Sequence, residues 1–375
     1  MRLHNVKGAK LGLSKDFGKH RFIPRRLLVY HIGSLGDTLV SVPALWAVSE
    51  NFPEAQITML TNEPQVKGLV QANTILDGSG MVDDCLFYPV GKPWEIVRLL
   101  FQLRSRKFDA LVYLIRAYED DPRVKRDKIF FWLAGVPVQL GMKQLPSDVR
   151  QASLRPLPVV ERMADSLLNR LRADGLKIPS GSVRTDVNLG EQEELDVQYW
   201  LSGLPGDGGR RWVGLGIGGK VPCNIWPFER YLAVMKRLVS DFDIWPVFFG
   251  GPADRIVGDR LIRELGRGYV AAEVLGVRSS MAAMKRCALF LGNDTGSMHM
   301  AAAGGVLCVI PFSSQNVPGL WYPYGSGHVI LRTPVSCEGC GLERCVEKKM
   351  SCILSITEDD VFGACSSILT GNVRK

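Results

Sequence analysis

The sequence predicts an α/β protein with two Rossmann-like, doubly wound domains that face each other across a cleft. Its 375 residues exceed what one hydrophobic core ordinarily accommodates, so length alone favours about two domains. Short apolar segments alternate with helical segments along most of the chain, which is typical of parallel sheets covered by helices on both faces. Glycines and acidic residues follow several predicted strands, and ligands of such folds bind at the carboxyl ends of the strands.

The first domain is predicted to follow a basic leader, residues 1–25, and to span residues 26–185. Compact apolar strands alternate with helices throughout this stretch. The strands are expected at 26–32, 56–60, 85–90, 110–115 and 136–140, and the helices at 38–48, 94–106, 127–134 and 159–173. A helix at 191–201 and the glycine-rich run 203–209 belong to a predicted linker region, residues 186–210.

The alternation resumes in a predicted second domain, residues 211–356. Its strands are expected at 212–217, 244–249, 269–274, 289–291, 306–311 and 328–331, and its helices at 228–239, 254–265 and 281–287. A last amphipathic helix is expected at about 358–369, within the C-terminal segment 357–375.

The positive charge of the chain is concentrated at its start. Residues 1–26 hold eight Lys/Arg and one Asp, so seven of the eight net positive charges lie there. Such a leader suits peripheral contact with an anionic inner-membrane surface, but its glycines and weak apolar face favour a solvated tail slightly. No basic stripe interleaved with aromatic residues continues beyond it, which argues against a nucleic-acid partner.

Membrane and secretion signals are also missing from the sequence pattern. No apolar run approaches the roughly 18 residues that span a bilayer. The N-terminus lacks the apolar segment of a signal peptide. A cytoplasmic protein is therefore expected.

The segment Leu289–Gly305 carries the strongest phosphate-binding signal. Its apolar run ends in Gly-Asn-Asp and leads into small residues of a predicted helix, with Asp294 or Thr295 suited to the N-cap position. A helix start with small side chains presents free backbone N–H groups and the positive end of the helix dipole, so we predict a diphosphate-binding turn. For His299, one turn further, a phosphate-facing role and a packed core position are both open.

The segment Gly214–Gly219 has the letters G-x-G-x-x-G after a predicted strand. A dinucleotide site would also need a helix to begin at once and an acidic residue about 20 positions further on. Pro222 and Pro227 prevent the first, and the second is absent. We interpret the segment as a glycine-rich strand end, with Lys220 placed to reach a phosphate.

Two acidic residues follow other strand ends. Asp37 stands at the first strand–helix junction, where capping the helix is the ordinary role and a general base at the mouth of the cleft is the functional one. Asp254 follows the strand that ends at Phe249, and it either caps the next helix or holds ribose hydroxyls.

Four of the nine cysteines have a spacing that suits a metal. The pattern Cys337-x2-Cys340-x4-Cys345-x6-Cys352 could supply four thiolates to zinc or iron. Reduced structural thiols are the alternative, because the later spacings differ from those of common zinc knuckles. The other five are predicted to be small core residues: Cys85, Cys223, Cys287, Cys308 and Cys365.

Together these motifs resemble glycosyltransferase family 9, the ADP-heptose:lipopolysaccharide heptosyltransferases. The matching segments are Leu28–Thr38 with Pro43–Leu45, Trp226–Tyr231, Gly250–Asp254, Gly292–Gly296 with His299 and Ala301–Gly304, and the four-cysteine tail. The resemblance implies a GT-B fold, an acceptor on the N-terminal domain and a nucleotide sugar on the C-terminal domain. It also implies that the last helix crosses back onto the first domain.

Position by position, the resemblance implies roles for the motif residues. Asp37 matches the proposed catalytic base, and Asp254 matches an acid that contacts the ribose. The donor-diphosphate turn is formed by Asp294, Thr295, Gly296, Ser297 and His299. The family often has a lysine two residues before the Trp-Pro pair, and here that position is Asn224, so Lys220 is the candidate replacement.

The implied reaction is an inverting, metal-independent sugar transfer, with heptose from ADP-heptose as donor and a lipopolysaccharide-core or other cell-envelope glycan as acceptor. Asp37 would take the proton of the attacking hydroxyl, and the helix start with Lys220 and His299 would stabilise the leaving diphosphate without a cofactor. Basic residues after the strand ending at 115 would meet phosphates of an anionic glycolipid, although a solvated basic helix is the alternative. They are Arg116, Arg123 and Arg126.

Two other functions stay open on the sequence alone. A sugar-nucleotide epimerase can use the same fold, but it needs further acid and base residues in the cleft. A nucleotide-sugar-binding protein without catalysis is the second, and the presence of Asp37 disfavours it.

Overall fold

The structure is a computed structural model that describes residues 23–63, 70–89, 91, 93–116, 121–143, 155–181 and 183–372. Most of the predicted basic leader, residues 1–22, lies outside the described residues. Two separate parallel sheets, of five and six strands, confirm the predicted α/β class with two doubly wound halves. No helix in the described part of the chain is long and apolar enough to cross a membrane.

The N-terminal sheet has the strand order β3-β2-β1-β4-β5, with every neighbouring pair parallel. Its strands are β1 (Arg26–Tyr30), β2 (Gln56–Asn62), β3 (Asp84–Tyr88), β4 (Ala110–Tyr113) and β5 (Val138–Leu140). Its helices are α1 (Leu35–Asn51), α2 (Ala72–Leu76), α3 (Pro93–Arg106), α4 (Pro122–Leu133) and α5 (Met163–Ala173). The apolar strands bury side chains on both faces, because α1 and α5 cover one face while α3 and α4 cover the other.

The C-terminal sheet has the strand order β11-β10-β9-β6-β7-β8 and is also parallel throughout. Its strands are β6 (Trp212–Gly216), β7 (Trp245–Phe248), β8 (Tyr269–Val270), β9 (Cys287–Gly292), β10 (Cys308–Pro311) and β11 (Val329–Leu331). The helices of this half are α6 (Glu191–Ser202), α7 (Phe228–Phe242), α8 (Arg255–Leu265), α9 (Val277–Met284), α10 (Gly296–Ala303), α11 (Ser351–Leu354) and α12 (Glu358–Leu369).

The last helix lies at its predicted position but packs differently from the expectation that it crosses back. Val361, Cys365 and Leu369 repeat every four residues and are buried in the core of the C-terminal domain, against α7 and the β9–β11 side of its sheet. The carbonyl of Leu369 also accepts a 2.7 Å hydrogen bond from Nη1 of Arg211. The expectation that α12 packs on the first domain is therefore wrong, because its apolar stripe is already covered by its own domain.

The predicted linker region, 186–210, contains helix α6, which packs on α9 of the second domain. The Ser279 hydroxyl donates a 2.7 Å hydrogen bond to Oδ2 of Asp196 at this contact. Arg278, also on α9, pairs with Glu193 of α6 and donates to the carbonyls of Ile75 and Val187. These bonds connect the second domain, the linker region and the first domain at one place.

Candidate active site

The two sheets each have a topological switch point, where adjacent strands continue in opposite directions. In the N-terminal sheet this crevice lies between β1 and β4, and in the C-terminal sheet it lies between β6 and β9. The loops that follow these four strands are the expected ligand-binding loops of doubly wound sheets. Three of them contain the sequence-predicted site residues Arg116, Lys220 and Asp294, and the loop after β1 leads directly into the first turn of α1, which holds Asp37.

The helices that follow β1 and β9 meet at their N-terminal ends. A Cβ atom added at Gly296, the first residue of α10, would lie 2.8 Å from Cδ2 of Leu35 on α1. A Cβ atom added at Gly36 would lie 3.2 Å from Cδ2 of His299. The absence of side chains at both glycines allows this close approach, which puts the helix start of α10 beside the first turn of α1.

Asp37 occupies the third position of α1 and caps it. Its Oδ2 accepts 2.7 Å hydrogen bonds from both the backbone N–H and the hydroxyl of Ser34. The ordinary capping role is therefore present. Both bonds fall on one carboxylate oxygen, so capping fixes the orientation of the carboxylate while it faces the cleft.

The cleft beside Asp37 is a cavity of about 270 Å³. His31, Arg116 and Arg123 line it from the first domain, Met163 and Leu167 from α5, and Trp321 from the second domain. The guanidinium carbon of Arg116 lies 5.6 Å from the centre of the Trp321 ring. The cavity thus combines an acid, cationic groups and one aromatic ring. These groups suit a polar, anionic ligand that can stack against the ring.

Only two of the three predicted acceptor arginines line the cavity beside Asp37. Arg116 and Arg123 line the cavity, and Arg123 also binds the buried carboxylate of Asp121 through Nη2 at 2.6 Å. Arg126 is absent from the lining and binds Asp127 through Nε and Nη2, at 2.9 and 2.7 Å. Its acceptor role stays a prediction, with the weakest geometric support of the three.

Two buried histidines flank Asp37 from opposite domains. His31 is buried, with Nε2 3.1 Å from Oγ1 of Thr38, and burial lowers its pKa although the charge of Asp37 opposes this. Burial also lowers the pKa of His299 to about 4, again against the effect of Asp37. His299 is therefore neutral near pH 7, and in this state it can contribute a hydrogen bond but no positive charge to the site.

Asn293 connects three of the sequence motifs. Its Nδ2 donates to the carbonyls of Ile217 and Gly218 at 2.7 and 3.1 Å, and its Oδ1 accepts from the Trp226 N–H at 3.0 Å and from the Tyr231 hydroxyl at 2.8 Å. This fully buried amide is satisfied at both ends. It fixes the glycine-rich strand end and the Trp-Pro turn against the start of α10.

The predicted donor turn has Thr295 at the N-cap position of α10, with its hydroxyl 2.8 Å from the Ser297 hydroxyl. The neighbouring Asp294 accepts a 3.2 Å hydrogen bond from Nδ2 of Asn224. Burial raises the pKa of Asp294 to about 7. The Asn224 Oδ1 accepts a 2.9 Å hydrogen bond from Gln315, so a neutral amide with both ends bonded stands beside Asp294.

Lys220 and Asp254 border the same turn. Lys220 is exposed in the loop after β6, and a Cβ atom added at its neighbour Gly219 would lie 3.2 Å from Cγ2 of Thr295. Asp254 caps the short turn after β7, since its Oδ2 accepts from the Gly251 N–H at 2.9 Å. Its carboxylate packs against the backbone of Gly218, so the capping role is present beside the donor turn.

The four tail cysteines surround one small cavity, which Cys223 also lines. Placing Cys223 among the core cysteines was therefore incomplete: it is buried, but it belongs to this cluster, where its N–H donates to the carbonyl of Glu343 at 3.2 Å. All nine cysteines are described and all are free thiols. Within the described residues, no group of three His, Cys, Asp or Glu side chains is arranged to hold a metal ion. The metal at this cluster stays a prediction.

Several site residues were missed by the sequence analysis. His31 and Trp321 line the cavity beside Asp37, and Gln315 donates a hydrogen bond to Asn224 beside Asp294. His31 carried a usable signal, because it is a polar residue at the end of an apolar strand directly before Asp37. Trp321 and Gln315 lie in a long loop after β10 whose sequence shows no recognisable motif.

Two facing Rossmann-like domains with a site between their switch points are the arrangement of GT-B glycosyltransferases, and this protein is a glycosyltransferase with that fold. The family model of glycosyltransferase family 9 (heptosyltransferase) matches residues 158–351, more than half of the chain, and the chain belongs to this family.

Solved structures agree with the fold. The glycosyl transferase family 9 structure from Veillonella parvula DSM 2008 is 20% identical, covering 92% of this chain and 97% of that chain, with a TM-score of 0.69. The E. coli ADP-heptose lps heptosyltransferase II is 17% identical over 92% and 99%, with a TM-score of 0.65. The E. coli heptosyltransferase WaaC with ADP is 17% identical over 92% and 99%, with a TM-score of 0.61. Curated protein sequences gave no match.

Proposed function

We propose that the protein transfers a sugar from a nucleotide diphosphate to a lipopolysaccharide-core or other cell-envelope glycan, with heptose from ADP-heptose as the first candidate donor. Family membership supports the transfer, and related folds carry ADP or an ADP-heptose analogue in their structures. The observation that carries the proposal is the contact between α1 and α10, which puts Asp37 of one domain beside the phosphate-type helix start of the other.

The proposed step inverts the anomeric centre. Asp37 takes the proton from an acceptor hydroxyl through the oxygen that Ser34 does not hold. The acceptor oxygen forms a bond to the anomeric carbon from the face opposite the nucleotide. The bond between that carbon and the phosphate oxygen breaks, and the nucleoside diphosphate leaves with the electron pair.

The charge that develops on the leaving diphosphate is met by the start of α10. Its free backbone N–H groups, the hydroxyls of Thr295 and Ser297, and the cation of Lys220 border the place where the phosphates would lie. His299 adds a neutral hydrogen-bonding group, and a bound diphosphate would raise its pKa. These groups support a reaction without a metal ion or other cofactor. Asn224 supplies no charge, so Lys220 carries the phosphate contact in this proposal.

The acceptor is proposed to enter the 270 Å³ cavity from the N-terminal domain. Arg116 and Arg123 would meet phosphates of an anionic glycolipid, with Arg126 further out. The enzyme would work in the cytoplasm, in peripheral contact with the inner membrane where such an acceptor is embedded.

The base is tested with Asp37→Asn, which keeps the size of the side chain and an oxygen for the cap. We expect transfer to fall by about 10²–10⁴-fold while donor binding is retained. Asp360→Asn is the matched control, because Asp360 caps α12 by the same two bonds, from the N–H and hydroxyl of Thr357, far from the cleft. Both variants should lose about 1 kcal/mol of stability or less, but only Asp37→Asn should lose activity. Full transfer by Asp37→Asn would contradict the assignment.

The donor is tested by thermal unfolding of the full chain with ADP-, GDP- and UDP-sugars. We expect an ADP-sugar to give the largest stabilisation, since a ligand that binds the folded state raises its unfolding temperature. Product analysis then separates the alternatives: an epimerase converts the nucleotide sugar without an acceptor, and a binding protein releases it unchanged. Stabilisation by NAD, with no response to any nucleotide sugar, would overturn the proposed donor class.

A further inference from the structure

Helices α3 and α4 lie side by side on the face of the N-terminal sheet that is turned away from the second domain. Their inner sides are ordinary core: Leu99 and Leu103 of α3, and Val124 and Phe131 of α4, are buried against the sheet. Their outer sides carry large apolar residues, which we call the aromatic face. It consists of Trp94, Val97, Phe101, Ile129, Trp132 and Leu133.

The aromatic face is unusually open. Trp94 is 86% exposed, Phe101 is 65% exposed, and Ile129 and Trp132 are each 60% exposed. By contrast, five of the other six tryptophans of the chain are less than a tenth exposed. Contiguous exposed apolar residues of this size mark an interaction surface more often than an ordinary protein exterior.

The two helices form one surface rather than two separate ones. In α3 the exposed apolar residues recur after three and four positions, and the same is true of α4, so each set lies on one side of its helix. Nη1 of Arg104 on α3 donates a 3.0 Å hydrogen bond to the carbonyl of Leu133 on α4. This bond joins the C-terminal ends of the two helices, so the two apolar stripes are neighbours.

The surroundings of the aromatic face are basic. The two helices together contain seven Lys/Arg and two acidic residues. Three of these basic residues pair with acids: Arg106 with Asp84, Arg123 with Asp121 and Arg126 with the buried Asp127. The other four, Arg98, Arg104, Lys125 and Lys128, outnumber the remaining acid of the two helices, Glu95, so the surroundings keep a net positive charge. The sequence shows no continuous basic and aromatic stripe here, because its members come from two helices separated by a strand and a loop.

We propose that the aromatic face seats the protein on an anionic lipid bilayer. Tryptophan and phenylalanine insert at the level of the headgroups, and lysine and arginine around them are attracted to anionic lipids. A second copy of the chain is a poorer occupant, because a two-fold contact would bring two net-positive surfaces together. Bilayer contact of this kind does not require the basic leader.

Part of the aromatic face lies on the same helix as one wall of the cleft. Arg123, in the first turn of α4, lines the cavity beside Asp37, while Ile129 and Trp132 lie further along the same helix. A bilayer on the aromatic face would therefore lie close to the entrance of the acceptor cavity. This consequence rests on the proposed function, but the bilayer contact itself does not.

The contact is tested by co-sedimentation of the full chain with vesicles of phosphatidylcholine alone or mixed with phosphatidylglycerol. We expect binding to the mixed vesicles that weakens with added salt, and little binding to the neutral ones. The double variant Trp94→Ala/Phe101→Ala and the charge reversal Arg98→Glu/Lys128→Glu should each lower the partition coefficient by about tenfold or more. All substitutions except that of Lys128 fall at exposed positions, and thermal unfolding verifies that the variants fold.

The controls change equally exposed residues on the second domain. Ile256→Ala removes a side chain that is 80% exposed, and Lys236→Glu/Arg263→Glu reverses two exposed charges; both should bind vesicles as the wild type does. Asp37→Asn should also bind normally. Because the vesicles contain neither donor nor acceptor, this assay measures bilayer contact alone. A negative vesicle result would not contradict the proposed transfer, and loss of transfer would not contradict the bilayer contact.

Three outcomes would overturn the proposal. The first is a wild type that does not sediment with any anionic vesicle. The second is loss of binding when four leader lysines, at positions 7, 10, 15 and 19, are changed to Ala, while the aromatic-face variants still bind. The third is a dimer in sedimentation velocity that Trp94→Ala/Phe101→Ala dissociates without changing vesicle binding, which would make this face a subunit interface.

Discussion

Gly296→Ala tests whether the two domains must meet as closely as the structure shows. The added Cβ would lie 2.8 Å from Cδ2 and 2.9 Å from Cγ of Leu35. Ordinary contact between carbon atoms needs about 3.5–4.0 Å, so α10 and α1 must separate by close to 1 Å or Leu35 must change its rotamer. A rotamer change would leave the 3.2 Å contact with Cβ of Leu35 in place, so some separation of the helices is expected in either case, and separation shifts the helix start of α10 relative to Asp37.

The expected cost to stability is small and the expected cost to activity is large. Overpacking a close contact costs about 1–3 kcal/mol, and the gain in helix propensity from Gly to Ala returns up to about 1 kcal/mol. The variant should therefore stay folded at 25 °C, with an unfolding temperature lower by a few degrees at most. A misplacement of about 1 Å between reacting groups can reduce the rate by about 10²-fold.

The assay combines initial transfer rates, donor affinity and thermal unfolding for the same preparation. Gly363→Ala is the matched control: Gly363 lies inside α12, and an added Cβ there meets nothing within 4 Å. This control should keep full activity and gain up to about 1 kcal/mol of stability. If Gly296→Ala keeps the wild-type rate and unfolding temperature, the close approach of α1 and α10 is not part of the active site.

Three further predictions concern Asp294, Asn224 and the cysteine cluster. Burial raises the pKa of Asp294 to about 7, so the folded state holds a proton that the unfolded state has lost, and stability should fall as pH rises from about 4 to 7. The full pKa difference would correspond to ~4 kcal/mol, and because Asp294 is partly exposed to solvent we expect ~2 kcal/mol. Asp294→Asn should remove this slope in urea unfolding between pH 4 and 8, and an unchanged slope would assign it to another group. Asn224→Lys should tighten ADP binding by about tenfold in calorimetry, because the cation pairs with Asp294 and the diphosphate; weaker binding would show that the amide contact with Gln315 matters more. Elemental analysis tests the cysteine cluster: near-stoichiometric zinc or iron that Cys345→Ser removes and Cys365→Ser retains would support the metal, and its absence would leave reduced thiols.

The alternation of apolar strands and helices was enough to predict both sheets, because strands buried on both faces read as continuous apolar runs. The strand–turn–helix arrangement of β9 and α10 was predictable for a similar reason, since a strand, a Gly-Asn-Asp turn and small helical residues are contiguous in sequence. The strand order was not predictable in this way. It determines that the loops after β1 and β4, and those after β6 and β9, form the two crevices. Strand neighbours depend on pairing between segments that are far apart in the chain.

The errors have the same physical origin. The apolar stripe of α12 indicates that the helix is packed, but nothing in the stripe specifies which sheet covers it. The buried position of Cys223 was predicted correctly, but its place in the cysteine cluster was missed, because the loop containing Glu343 brings the tail cysteines to it. The aromatic face was missed because α3 and α4 are each only modestly aromatic, and they become one surface only when packed side by side.

The cysteine segment and the donor turn are connected by an unbroken series of hydrogen bonds. The Gly341 N–H, between Cys340 and Cys345, donates to the carbonyl of Gln315 at 2.9 Å. The side chain of Gln315 donates to Asn224, which in turn donates to Asp294. Asn224 carries no charge, so its effect on Asp294 depends on how its amide is oriented, and Gln315 fixes that orientation. Because the Gly341 N–H holds the backbone of Gln315, the orientation of Asn224 depends in turn on the segment that contains Cys340 and Cys345.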